Sequence, residues 1–256
     1  MTALVVVFSA VVGLVVGSFL NVVIHRVPAG ESVVRPRSRC PHCGTQLVGR
    51  DNVPVLSWLL LRGRCRTCGT SISPRYPLVE LLTAVLFAAI ALRFPDDAEL
   101  PAYLVLTAGL VALSAVDLER FLLPNRILYP TLAMTAALLV VAAVVDGDGR
   151  ALRDAALGGA IAFALLFAIH VVSPKGMGFG DVRLAGLLGV ALGWLGLGHV
   201  FLGLFLGFLL ASVLGVALIA LRLRSRKDRL PFGPFLALGA FVAFFVGRPI
   251  LDWYLG

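Results

Sequence analysis

The sequence predicts an all-α polytopic membrane protein of about eight transmembrane helices, with a four-cysteine loop between the first two. Three observations carry that expectation. Hydrophobic residues make up 59% of the 256 and charged ones 14%, with a mean hydropathy of +0.98, which excludes an ordinary soluble domain. The apolar residues gather into long runs, and a bilayer span needs about 20 of them, about 17 at the least. The charges lie between the runs, and their sign alternates from one connection to the next.

The first run covers residues 3–24. It has neither the basic start nor the small-residue cleavage site of a signal peptide, so it is read as a retained helix. Further runs follow at 77–93, 101–117, 127–145, 155–172, 181–196, 199–221 and 231–248, the sixth of the eight being marginal in length. Residues 25–76 carry nine arginines against Glu31 and Asp51, whereas Phe94 to Pro101 holds Asp96, Asp97 and Glu99 and no cation. Arg120 and Arg126 then face Glu119, three aspartates outnumber Arg150 and Arg153, Lys175 lies in the fifth connection, and 222–229 has five cations against Asp228. Eight spans with both termini outside satisfy this alternation. The net charge of +8 is therefore read as topology, with basic connections against membrane lipid and no nucleic-acid partner. The predicted organisation is a first helix at 1–24, a cytoplasmic four-cysteine domain at 25–76, and a seven-helix membrane domain at 77–256.

All four cysteines fall in the first connection, as Cys40-Pro-His-Cys43-Gly and Cys65-Arg-Thr-Cys68-Gly with 21 residues between them. Paired CxxC knuckles at this spacing resemble a zinc ribbon. The glycine after each second cysteine allows a tight turn, and neighbouring arginines favour thiolates. A redox pair is the other reading, but a cytosolic loop is kept reduced. His42 could ligate, although four thiolates already complete a structural site. A loop of some fifty polar residues has little core, so metal binding would supply its folding energy.

A second stretch stands out at Lys175-Gly-Met-Gly-Phe-Gly-Asp181-Val-Arg-Leu184. Gly176, Gly178 and Gly180 disfavour regular helix and permit close backbone approach. Asp181 opens an apolar run, where an ionisable group costs about 2.5–3.5 kcal/mol at mid-membrane and marks a candidate site. A helix-end charge with packing glycines is the plainer account. Asp117 ends the third run, and the topology puts it at the same depth and on the same face as Asp181. Two such carboxylates can share a proton, one acting as base on water and the other as acid toward a leaving amine. Glycines ahead of Asp181 would let the sixth helix move to admit an extended peptide.

Smaller features have readings of both kinds. Gly17-Ser-Phe-Leu-Asn21 suits helix packing or substrate contact. Glu80, after Arg75-Tyr76-Pro77, suits the helix dipole, an arginine partner or a substrate or cofactor pocket. Glycines 186, 189, 193, 196 and 198 permit close helix contact, and Pro231-Phe-Gly-Pro-Phe235 opens the last helix. His170 and His199 receive no role.

The ordered set of Gly17-Ser-Phe-Leu-Asn21 with His25-Arg26, the two knuckles, Asn52-Val-Pro54, Ser57-Trp-Leu59 and Arg62-Gly-Arg-Cys65 is distinctive. It continues through Arg75-Tyr-Pro-Leu-Val-Glu80, Asp117 with Leu123-Pro124, Gly176 to Leu184, and Pro231 to Leu236. Over essentially its whole length the chain resembles the bacterial type IV prepilin peptidases, membrane aspartic proteases of the GxGD class. Asn125 follows Pro124 where the family pattern often has aspartate.

The resemblance implies cleavage of a short basic leader, after a glycine, from type IV prepilin or pseudopilin precursors at the cytoplasmic face. It implies Asp117 and Asp181 as the catalytic pair and Cys40, Cys43, Cys65 and Cys68 as ligands of a structural zinc. It further implies N-methylation of the new N-terminus from S-adenosylmethionine, for which no glycine-rich fingerprint appears; Glu80 is the candidate cofactor contact. Two other classes remain open on residues alone. A small transporter would use the aspartates as an ion site, though both lie at an edge rather than the midplane, and an assembly factor would bind pilin-like helices without cutting.

Overall fold

The computed structural model describes residues 1–174, 176–223, 225 and 230–255. Lys175, Arg224 and residues 226–229, which enter the charge argument, lie outside them. Nine α-helices form among the described residues: α1 (Thr2–Arg26), α2 (Leu56–Leu60), α3 (Arg75–Arg93), α4 (Leu100–Arg120), α5 (Asn125–Asp146), α6 (Gly149–Val172), α7 (Phe179–Trp194), α8 (Leu197–Ala220) and α9 (Gly233–Leu255). Each of the eight apolar runs becomes a helix. Seven are long and apolar enough to cross a membrane. The exception is α7, whose 16 residues give a length of about 24 Å.

Two boundaries move appreciably. The helix α6 begins six residues before its apolar run, because Asp148 caps it by accepting from the Ala151 N–H at 2.9 Å. The last helix continues past residue 248 through Pro249.

The chain divides into two compact units, Met1–Leu100 with Thr107–Ala112, and Pro101–Leu106 with Leu113–Gly256. In the first, α1 packs along α3 with almost no space between backbones. A Cβ on Gly13 would stand 2.7 Å from Ala84 Cα, and one on Gly17 would stand 2.7 Å from Glu80 Cα. Asn21 Nδ2 donates to the Tyr76 carbonyl at 3.1 Å, which fixes the register.

In the second unit α7 is enclosed. Ten of its residues are buried, and it packs against α5, α6, α8 and α9, which is why its sequence is apolar all round rather than on one stripe. Gly158 on α6 meets Gly189 of α7, and Gly193 meets the Asp154 carbonyl, so that side chains at these points would collide with backbone. Tyr103 Oη donates to the Ala191 carbonyl at 3.3 Å.

Candidate active site and cysteine centre

Asp117 lies one turn before the end of α4 and is 5% exposed. The N–H of Gly233, the first residue of α9, donates to its Oδ2 at 2.9 Å. A Cβ there would stand 2.9 Å from that oxygen and 3.1 Å from Leu123 Cδ2, so any larger residue displaces the carboxylate. Leu123 also closes on the start of α7, where a Cβ on Gly180 would lie 3.1 Å from Leu123 Cβ. The exit of α4 and the first turns of α7 and α9 thus converge on one leucine.

Asp181 stands in the first turn of α7, since the helix begins at Phe179 and takes in Gly180. Its Oδ2 accepts the Gly178 N–H at 3.2 Å, and its carboxylate lies within reach of the Asp117 charge. Asp181 is therefore a helix-end acid, at the same convergence of helix ends that holds Asp117. Gly176 turns back on Ser173, donating to its carbonyl at 3.0 Å.

Two residues without a sequence-based role hold this approach in place. The His170 Nδ1–H donates to the Met177 carbonyl at 2.8 Å, and its ring lies 5.5 Å from Phe179. Arg183 Nη1 donates to Asn125 Oδ1 at 2.7 Å while its guanidinium sits 4.4 Å from the Phe179 ring centroid. The substitution of Asn for Asp after Pro124 therefore keeps a hydrogen-bond acceptor for Arg183.

In the first unit the two knuckles have one geometry. Cys40 N–H donates to Thr45 O at 2.9 Å and Gly44 N–H to Cys40 O at 2.9 Å; Cys65 and Gly69 repeat this with Thr70 at 2.8 and 2.9 Å. Gly44 and Gly69 have φ of +73° and +70°, where glycine is favoured. The four sulfurs lie within 4.8 Å of one another and can hold a metal ion. Tetrahedral zinc with bonds of about 2.3 Å requires sulfurs about 3.8 Å apart, and Cys40 and Cys68 Sγ are 3.8 Å apart.

The four thiols do not shift alike: Cys40 is pushed above its ordinary range by burial and by its neighbours Cys43 and Cys65, and the other three lie below theirs. The Thr45 hydroxyl holds the Cys43 thiol below its ordinary range, Thr70 does so for Cys68, and the Cys68 N–H does so for Cys65. Around the knuckles Trp58 Nε1 donates to Ile72 O at 3.0 Å, and its ring covers Gly63, where a Cβ would stand 2.9 Å from Trp58 Cζ2 and the φ of +65° favours glycine. Arg66 grips Asp51 Oδ1 through Nε at 2.9 Å and Nη2 at 2.7 Å.

Glu80 is 8% exposed and lies in the second turn of α3, beyond the first turn in which the dipole acts. Its Oε2 accepts the Val55 N–H at 2.7 Å, and Ser18 also interacts with the carboxylate. Val55 has φ +60° and ψ −50°, and the Leu56 N–H reaches the Pro54 carbonyl at 2.6 Å. This is a positive-φ γ-turn, which is rare and strained. At a β-branched residue it needs an outside partner, and Glu80 is that partner.

Residues 11–94 match the family model of the bacterial peptidase A24 N-terminal domain, and residues 104–220 match that of the type IV leader peptidase family. A prepilin leader peptidase/N-methyltransferase of Aeromonas hydrophila is 37% identical over 271 residues, covering 94% of this chain and 91% of its own. The chain belongs to the type IV leader peptidase family. Two more proteins of the same name resemble this leader peptidase family member over nearly their full length. That of Stutzerimonas stutzeri is 36% identical over 96% of this chain and 92% of its own. That of Pseudomonas aeruginosa is 34% identical with the same coverage. No solved structure matches this family member.

Proposed function

We propose that this chain is a membrane aspartic endopeptidase that removes the leader from type IV prepilin or pseudopilin precursors and then methylates the new N-terminus. Asp117 and Asp181 act as the catalytic pair. The observation that supports this reading is the convergence of the exit of α4 with the first turns of α7 and α9 on Leu123, with Asp117 accepting the Gly233 N–H and Asp181 in the first turn of α7. One carboxylate takes a proton from water as its oxygen adds to the scissile carbonyl. The other gives a proton to the amide nitrogen, the C–N bond breaks, and a carboxyl-ended leader and a free amine result. Gly176, Gly178 and Gly180 keep the approach to Asp181 open to an extended backbone.

Cys40, Cys43, Cys65 and Cys68 hold a structural zinc in the domain at 25–76, which the membrane domain at 77–256 follows. S-adenosylmethionine, when bound, would supply an electrophilic methyl group to the new amine, its sulfur–methyl bond breaking to leave S-adenosylhomocysteine and the amine proton passing to solvent. The protein lies in the bacterial cytoplasmic membrane among its lipids, with both termini outside and the aspartates facing the cytoplasm. The charge alternation along the chain supports that orientation.

The test is mass spectrometry of a pilin-like precursor incubated with the enzyme in lipid and S-adenosylmethionine. Wild type should yield a shortened, singly methylated product, and Asp117→Asn and Asp181→Asn should leave the precursor whole. Cleavage persisting in both variants would end the aspartate assignment.

A further inference from the structure

The C-terminal half of α1 and the cysteine loop enclose a groove of about 550 Å³ that peptide hydrolysis does not use. One wall is a stripe of α1, where Val15, Phe19, Val22 and Arg26 recur at helical spacing and stand one above another. Val15 and Phe19 are exposed, on a helix long and apolar enough to cross a membrane. The other wall is loop, formed by Val33, Val34, Pro36, Leu47 and Val48. The Leu47 N–H donates to the Ser38 carbonyl at 2.9 Å and ties the two sides of that wall together. Val34 is 76% exposed, which is unfavourable in water but suits hydrocarbon opposite a spanning helix.

The chemistry of the lining selects a ligand. Arg26, the last residue of α1, donates from Nη1 to the Ser32 carbonyl at 3.0 Å, which braces its guanidinium at the groove. Arg37 lines the groove and also a neighbouring hollow of about 620 Å³, which Arg35 and Gln46 share. No acid lines either space. Guanidinium groups match the oxygens of a phosphate. A zwitterionic headgroup would bring its amine among them with no carboxylate to receive it, so the lining favours a headgroup of net negative charge. Length agrees with charge. From Val15 to Arg26 the helix rises about 16 Å, at about 1.5 Å per residue, and half the hydrocarbon core of a bilayer is about 15 Å. A phosphate held at Arg26 therefore leaves an acyl chain to run past Phe19 and end near Val15.

We propose that this groove seats one anionic phospholipid, with its phosphate on Arg26 and Arg37 and one acyl chain along Val22, Phe19 and Val15. The lipid packs against both walls and so fastens the cysteine loop to the membrane surface at the end of α1. This rests on α1 spanning the bilayer and on neither the aspartate nor the methyl-transfer reading.

The test is photo-crosslinking of the full chain in phosphatidylcholine nanodiscs that carry a trace of phosphatidylglycerol with a diazirine on one acyl chain. Fragmentation mass spectrometry locates the label, and a phosphatidylcholine probe with the same acyl chain is the reference. The phosphatidylglycerol probe should label residues 15–22 about five-fold or more above the reference. Each arginine near a charged headgroup contributes about five-fold in affinity. Arg37→Gln, at an exposed position, should therefore lower labelling about five-fold, and Arg26→Gln combined with it should remove the excess, with melting temperature reporting the fold. Arg62→Gln with Arg64→Gln takes the same charge from the loop outside the groove and should leave labelling unchanged. Equal labelling by the two probes would mean annular lipid only and overturn the site, as would an equal loss in the control pair. Displacement of the label by millimolar inorganic phosphate, but not by sodium chloride of the same ionic strength, would assign the arginines to a soluble anion and overturn the lipid.

Discussion

Gly233 shows how much one residue decides. Its N–H reaches Asp117 because there is no Cβ to hold α9 away, and an alanine would press on Oδ2 and Leu123 together. Moving a catalytic group by about 1 Å can cost about 100-fold in rate. Gly233→Ala should lose about that much cleavage with little change in melting temperature, measured as initial rates on a precursor in lipid. Asp51 gives a pH prediction. The hydrogen bonds and charge of Arg66 hold its carboxyl below the usual carboxylate range. Its contribution is therefore complete above about pH 4 and is lost as pH falls through the depressed folded value. Trp58 fluorescence should show Asp51→Asn destabilised at neutral pH, and the difference from wild type should close at the acid end. The aspartates and cysteines were visible in the sequence because their residue types are scarce and chemically specific. The Glu80–Val55 bond was not visible, because a positive-φ γ-turn leaves no sequence mark when its centre is valine, and 25 positions separate the partners.

At the scale of elements, glycine spacing decides which helices touch. Gly158, Gly189 and Gly193 bring α6 and α7 to backbone contact, so a larger side chain has nowhere to go. Gly189→Leu should destabilise the protein by several kcal/mol, about 3 or more as for severe overpacking. A large drop in melting temperature in detergent would be the sign, and a stable, active variant would contradict the packing. The seven helices long enough to span were legible as apolar runs because a span needs about twenty apolar residues, and α7 was legible because its enclosure in protein makes it apolar all round. Their ends were less so. The start of α6 depends on the Asp148 cap, and charged residues there masked a helix that had already begun. Enclosure of the short α7 on all sides was likewise hidden, since an apolar sequence looks the same against lipid and against protein.

Across the whole chain, the metal loop and the aspartates make separate demands. The knuckles have little apolar core and depend on an ion, whereas Asp117 and Asp181 are held by helices and by backbone N–H groups. Chelation, or replacing all four cysteines by serine, should unfold the loop and abolish methylation while reducing leader cleavage far less. Metal analysis beside mass spectrometry of the product checks this, and equal loss of both activities would contradict it. Family membership was legible because the motifs occur in order over the full length. The backbone contact of α6 with α7 has a mechanical consequence. Two helices in backbone contact at Gly158, Gly189 and Gly193, with few side chains such as Val190 and Phe163 between them, slide past one another only at high cost. Room for an incoming chain beside Asp181 then has to come from torsion at Gly176 and Gly178, so the rate of substrate admission could be tuned at those hinges without altering either carboxylate.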